Sequence, residues 1–425
     1  MSAREKLLGW LKDDRDRQLE FLRAFTRIDT CNPPGDTRVA ADFFRQFLEG
    51  EGIRHRTEAP QAAMPNLIAS FTGGTGPGRH LVLNGHLDVF PIGDRSVWQR
   101  DPLSGDIVGD GVHGRVYGRG TVDMKCGTTA LLFVFAYLHR LRAELPGKVT
   151  LTIVSDEETG GKWGADWLVR NCADEVLGDC VLNTEPSGVH TVRFGEKSML
   201  WLRLRIAAPG GHSAYPHTSP SATKIAASLI KELEAIEAMV PDEPAVVREV
   251  LSRPEVVAAA DRSLGQGGAA VMRRVSVNIG TLKGGVKINM LPAECVLEVD
   301  FRPPVGIARA QVLDKVKAIV ARYPMVTVEE LLAGNPESTW SDPTHDMVGH
   351  LVRNAAEAQG HPPQPIVSLG GTDTRFWRRA GVPAFVYGCS PAGMGGIDES
   401  VSVAEFHHVL RVHALAAADY LAATK

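Results

Sequence analysis

Apolar and polar positions along the chain change their period several times, and the changes mark the elements. The N-terminal stretch MSAREKLLGWLKDDRDRQLEFLRAF spaces its apolar residues as a helix does, and Thr30-Cys31-Asn32-Pro33-Pro34-Gly35 then forces a loop. Residues 43–48 read as a second helix, and 66–71 and 80–84 as strands. The latter is a short apolar run that stops abruptly at Gly85-His86. Residues 130–141 form an apolar helix, and 149–155 a second buried strand ending in Asp156-Glu157-Glu158. Strands alternating with helices, each delivering polar residues at its C-terminal end, predict an α/β sheet with a site along that edge.

Near Glu196 the texture changes. MLWLRLRIA over 199–207 alternates apolar and basic residues, the pattern of a strand with one exposed face. An amphipathic helix follows over 220–239, then alternating strands over 275–282 and 295–301 and a helix over 309–323. This order predicts a compact α+β unit, a four-stranded sheet with helices on one face. The α/β texture returns at about Gly334 and closes with a helix over 403–422. The expected architecture is a catalytic domain in two parts, 1–197 and 328–425, interrupted by a smaller domain at 198–327.

Composition narrows the class. A chain of 425 residues with 44% hydrophobic and 23% charged residues is an ordinary globular protein of about two domains. A net charge of -4 gives no basic face for nucleic acid. The longest apolar run, 130–138, is far short of the ~20 residues a membrane span needs. The N-terminus lacks the apolar core and cleavage site of a signal peptide. Six scattered cysteines form no close pairs, so reduced thiols in a cytoplasmic protein are expected.

Four polar clusters stand at strand ends: Gly85-His86-Leu87-Asp88, Gly118 to Lys125 with Asp123, Asp156-Glu157-Glu158-Thr159-Gly160-Gly161, and Asn183-Thr184-Glu185-Pro186. Bringing these carboxylates together is repulsive without a cation. One histidine with two or three carboxylates suits a divalent ion that keeps a position open for water. Any one of these motifs alone is more often a turn or a solvated edge; the combination carries the signal.

The motifs GHLDVFP (85–91), YGRGTVDMK (117–125), DEETGG (156–161), GGHSAYPH (210–217) and GGTDTRFW (370–377) identify a resemblance over nearly the whole chain. It is similar to the metallopeptidase and deacylase family of acetylornithine deacetylase, succinyl-diaminopimelate desuccinylase, aminoacylase and glutamate carboxypeptidase. The resemblance implies a phosphorylase/hydrolase-like catalytic domain with a mixed sheet, and an inserted α+β lid that also makes a homodimer. It implies His86 and Glu185 as ligands of a first metal, Asp123 as a bridge to a second, and Glu158 on that second metal. Asp88 resembles the residue that fixes His86 by a hydrogen bond, and Glu157 the general base. His212 resembles an oxyanion-stabilising histidine, in many members from the neighbouring subunit. Arg302 and Asn289 resemble lid residues that contact a small-molecule substrate, an arginine fork suiting a carboxylate. Gly371 and Thr372 are expected on the pocket floor.

The chain departs from the family where a last metal-binding histidine is expected: Met394-Gly395-Gly396-Ile397-Asp398-Glu399 puts Gly395 at that place. Either one ion is held tightly and the second weakly or not at all, or another histidine substitutes. The nominal substitutes are His113, His345, His350, His407 and His408, with His113 first because it lies in a Gly-rich loop before Asp123. One or two divalent ions per subunit are therefore expected: zinc, manganese or cobalt, with iron open. Cys126, where the family often has glycine, reads as a buried thiol at a helix start or a soft residue near the metal. The implied activity is hydrolysis of an amide bond in a carboxylate-bearing substrate. The alternatives are removal of an aromatic amino group, as in the family's 5-nitroanthranilate aminohydrolase, and a non-catalytic binding relative.

Overall fold

The computed structural model describes residues 1–331 and 337–423, apart from the Val112 side chain; the expected return of α/β texture at Gly334 falls outside the described residues. The main sheet runs in the order His55–Glu58, Asn66–Thr72, Lys148–Val154, His80–His86, Cys180–Asn183, Ala384–Val386, Thr191–Glu196, Thr339–Trp340, with Gln364–Ser368 also beside Thr191–Glu196. Its centre is parallel: His80–His86 pairs in that sense with both Lys148–Val154 and Cys180–Asn183. These strands are covered on both faces, so that even the threonines interleaved with apolar residues in Lys148–Val154 are buried. Leu81 and Leu83 turn into one core and Val82 into the other, as a period of two requires. Helices Cys126–Arg140 and Val403–Ala422 pack in the larger core, and Ala165–Asn171 and Thr374–Arg379 cover the opposite face. The apolar segment Thr121–Arg140 is 94% buried inside the fold, a core helix. All six cysteines are free.

The lid sheet is antiparallel, in the order Ser276–Gly284, Glu294–Arg302, Leu200–Ala207, Val326–Glu330. Leu200, Leu202, Leu204 and Ile206 face inward and Trp201, Arg203 and Arg205 outward, the alternation legible in the sequence. Helices Ala222–Glu234 and Arg309–Val320 close this second core.

The segment expected as one insertion at 198–327 is divided between the two cores. Helices Ala245–Leu251, Pro254–Leu264 and Gly268–Met272 put Val247, Val250, Val256, Ala260 and Met272 into the catalytic domain's core, and the lid strand Val326–Glu330 runs past residue 327. The physical reason is burial: the lid sheet already has two helices on its inner face, so this apolar trio finds its partner on the main sheet. Lys197, 2% exposed, fastens the crossing by donating to the carbonyls of Val271 (2.9 Å) and Arg274 (2.8 Å) and to Ser276 Oγ (3.1 Å).

Candidate active site

His86 is the last residue of its strand and is 1% exposed. Its Nδ1 donates to the backbone carbonyl of Asp88 at 2.8 Å, which leaves Nε2 as the free ligand atom. The expected hydrogen bond from the Asp88 carboxylate is thus made by the Asp88 main chain, with Oδ1 standing 3.6 Å from Nδ1. The carboxylate instead accepts the backbone N–H groups of Glu157 (3.2 Å) and Glu158 (3.1 Å) and the Asn32 side chain (2.9 Å). Asp88 therefore ties the first cluster to the third.

Asp123 sits in a non-helical turn before the core helix, shortly after a left-handed Gly120 (φ 76°) whose Cβ would strike Val89. Glu399 holds this turn. It is 1% exposed and accepts from the backbone N–H of Gly120 (3.1 Å), Val122 (2.9 Å) and Asp123 (3.3 Å), and from Arg119 Nη1 at 2.7 Å. Glu185 follows the parallel strand Cys180–Asn183, its N–H held by Asn183 Oδ1 at 2.7 Å. Of the three acids after Lys148–Val154, Asp156 is structural, accepting from the N–H groups of Trp163 and Gly164. Glu157 and Glu158 face the site.

Their atoms converge. His86 Nε2 lies 3.4 Å from Asp123 Oδ1 and 3.3 Å from Glu185 Oε1, and donor atoms of His86, Glu157 and Glu185 fall within 4.8 Å of one another. His86 Nε2, Asp123 Oδ1, Glu158 Oε1 and Glu185 Oε1 are buried without a hydrogen-bond partner. Buried polar atoms are normally satisfied, so these four orphans, with Asp123 Oδ1 and Glu185 Oε1 gathered about His86 Nε2, fit a divalent cation. Burial, reinforced by the neighbouring carboxylates, pushes Glu158 up to about 11 and holds Glu185 well above the usual carboxylate range. A cation beside them favours the ionised form and so offsets both shifts.

Glu157 is raised by burial, and the charges of His86 and Arg375 pull it back. Arg375, on Thr374–Arg379, donates to the Thr372 carbonyl at 2.6 Å and lies 3.4 Å from Glu157 Oε1. Gly371 borders this guanidinium, whereas Thr372 turns away from the cleft, its N–H and hydroxyl donating to buried Glu196 at 3.0 and 2.9 Å. Thr372 thus braces the floor from below rather than presenting its side chain to a substrate.

The lid residues stand apart. His212 and Asn289 are exposed neighbours on the ribbon Gly211–His212 with Met290–Leu291, where Ser213 N–H donates to the Asn289 carbonyl at 3.1 Å. Arg302 is at the other end of the lid strands, its Nε on both Asp300 oxygens at 3.0 and 2.9 Å. About 25 Å of strand separates these ends, at ~3.3 Å per residue over Leu200–Ala207.

Gly395 has φ 68°, and a Cβ there would come within 3.1 Å of the Phe90 ring. Four substitute histidines are engaged elsewhere. His345 caps Asp346–Gln359, His350 contacts Arg353, His407 meets Gln18, and His408 meets the Tyr387 hydroxyl. Among the described residues, the second position keeps Asp123 and Glu158; His113, the first of the substitutes, is exposed on the turn Gly111–His113, which packs against the terminal helix Val403–Ala422. Cys126 packs its thiol toward the Val122 carbonyl and Cys389, away from the ligand atoms.

Sequence reasoning passed over Asn32, Glu399 and Arg375. Each lies inside or beside one of the motifs, and a charged or amide side chain next to a ligand turn was the available signal. The model of "Peptidase family M20/M25/M40" matches residues 82–419. A succinyl-diaminopimelate desuccinylase of Cereibacter sphaeroides is 28% identical over 395 residues, 90% of this chain and 94% of that protein. An M20 family metallo-carboxypeptidase from Sulfolobus solfataricus superposes with a TM-score of 0.78 at 19% identity, covering 95% of this chain and 99% of its own. A dipeptidase from Saccharomyces cerevisiae does so at 0.73 and 15%, covering 100% of both chains. The chain belongs to peptidase family M20/M25/M40 and is a metal-dependent hydrolase acting on amide bonds.

Proposed function

We propose that this chain hydrolyses the amide bond of a small N-acylated or dipeptide-like substrate bearing a carboxylate, with one tightly held divalent ion and as a homodimer. The observation that carries the reading is the set of four unpartnered buried donors, with Glu157 within reach of them. His86, Asp123 and Glu185 would hold the ion, whose chemistry is to polarise the scissile carbonyl and the attacking water. Glu157, steadied by Arg375 and by the Asp88 grip on its N–H, takes the proton from that water and passes it to the leaving amine. A raised Glu157 suits both of these proton transfers.

His212 and Asn289, exposed and far along the lid from Arg302, support a site completed by the partner's lid, where the partner's imidazole would steady the developing oxyanion. Arg302, at the opposite end of the lid strands, would reach the substrate from the same subunit. The loss of a histidine at Gly395 favours a single ion. With one nitrogen and carboxylate oxygens as ligands, zinc, manganese, cobalt and iron all suit it. A cytoplasmic location agrees with the six free thiols.

A second reading, hydrolytic release of ammonia from an aromatic amine, is favoured by one feature: the half-exposed Phe90 ring beside Gly395 gives an aromatic substrate a surface to stack on. Glu157→Ala tests the mechanism under both. It should retain stoichiometric metal and lose more than about 100-fold in turnover, the scale of a general base. Near-normal turnover would sink the mechanism. A wild-type panel of N-acyl amino acids, dipeptides and aminobenzoates, read as free amine and as ammonia, separates the two reactions.

A further inference from the structure

One basic side chain beside the site has no part in that chemistry. Arg193 lies in the strand Thr191–Glu196, where its neighbours Val192 and Phe194 turn into the larger core, so its own side chain leaves on the other face. It is level with Val386, which is level with Asn183, two residues before Glu185. Two strand spacings, about 10 Å, separate the Asn183 and Arg193 backbones. An extended arginine closes most of that gap, and the guanidinium lies in the field of Glu185, Asp123 and Glu196.

Yet it forms no ion pair among the described residues. Nη1 donates to Ser368 Oγ at a long 3.3 Å, and Nε is buried with no acceptor. The other arginines around the site are already engaged: Arg119 on Glu399, Arg375 on Glu157, Arg378 on Glu196, Arg302 on both oxygens of Asp300. A partly buried guanidinium with its Nε donor unfilled is unfavourable unless an anion completes it, and its planar fork matches a carboxylate. Burial accordingly holds Arg193 down to about 10, the strain that an incoming anion would relieve.

We propose that Arg193 binds a carboxylate of the substrate on the sheet side of the cleft, and so selects substrates with an anionic group a short chain away from the scissile carbonyl. This rests on the amide-hydrolase reading. The ion at His86, Asp123 and Glu185 fixes the carbonyl, and Arg193 fixes the anionic end, which sets the register of the substrate between them.

The test uses the metal-loaded Glu157→Ala protein, in which binding is separated from turnover, and three probes: N-succinylglycine and its two monoamides, each with one carboxylate capped. Calorimetric Kd values should show that capping one particular carboxylate weakens binding about tenfold to a hundredfold, the range for a charge-assisted pair. Adding Arg193→Met should abolish that difference while the cost of capping the other carboxylate and the metal content stay unchanged. Arg193→Lys, which keeps the charge and loses the fork, should retain part of it and covers the case in which the methionine variant does not fold. An unchanged capping penalty without Arg193 overturns the inference. So does equal binding of all three probes by the parent, or loss of metal with the preference intact. Wild-type protein that cleaves N-acyl amino acids but shows no carboxylate preference sinks this inference alone; protein that cleaves no amide sinks the reading beneath it.

Discussion

Glu399→Gln removes the carboxylate charge from beneath the Asp123 turn and changes almost nothing in shape. In the native protein both carboxylate oxygens accept: Oε2 from Arg119 Nη1 and Gly120 N–H, Oε1 from the N–H groups of Val122 and Asp123. A glutamine offers one acceptor and one NH2, so whichever way it is turned, a donor faces a donor. Either Arg119, itself 3% exposed, loses its counter-charge, or two backbone N–H groups of the Asp123 turn are orphaned. Breaking a buried ion pair by removing one partner costs about 3–5 kcal/mol. Part of that loss falls on Asp123, whose backbone direction the Glu399 hydrogen bonds set, and loosening a support behind a ligand lowers metal affinity about 10–100-fold. The assay is competition with a chelator of known affinity, alongside thermal unfolding of metal-loaded and chelator-treated protein. A variant that holds metal with native affinity and unfolds at the native temperature would refute the claim that Glu399 organises this turn.

Mixing His212→Ala with Glu157→Ala subunits, each inactive alone, should restore about a quarter of wild-type activity if each site takes its imidazole from the partner, since half of random dimers are mixed and each has one intact site; no recovery after verified subunit exchange would refute the shared site. Loading the site with zinc or manganese at pH 7 should release at least one proton per ion, because Glu185, held well above the usual carboxylate range by burial in the bare site, must ionise to ligate. Calorimetry in buffers of different ionisation heat measures this, and binding with no proton release would contradict the stated charge state. His413 is fully buried, with Nε2 on the Tyr387 carbonyl at 2.6 Å, and burial lowers it to about 4. The unfolded chain takes up this proton near pH 6.5 and the folded one does not until about pH 4, so stability is lost as pH falls through that window, by up to ~3 kcal/mol. Denaturation midpoints of wild type and His413→Gln from pH 7 to 4 check it: the variant should show a shallower acid loss.

The sequence by itself determined the elements and most of the candidate site. Short, largely apolar and β-branched runs bounded by turn residues, such as 80–84 and 149–155, read as buried strands, and the alternation of 199–207 reads as a strand with one wet face. Parallel strands of that kind present their C-terminal ends to one edge, so the order of elements alone places His86, Glu157, Glu158 and Glu185 together. These are local signals, written in period and punctuation.

Tertiary structure decided what depends on distance between remote segments. Nothing in the pattern around residues 245–272 says whether those helices bury their apolar sides on the lid or on the main sheet; that is set by which surface is still uncovered. The exchange of roles at Asp88, whose main chain orients His86 while its carboxylate grips Glu157 and Glu158, turns on ångström-scale angles that residue type does not encode. Glu399 reaches Asp123 across 276 residues, and Arg375 reaches Glu157 across 218. Pairings of that kind come from chain topology, which brings charges together only after hydrophobic burial has fixed where each strand ends.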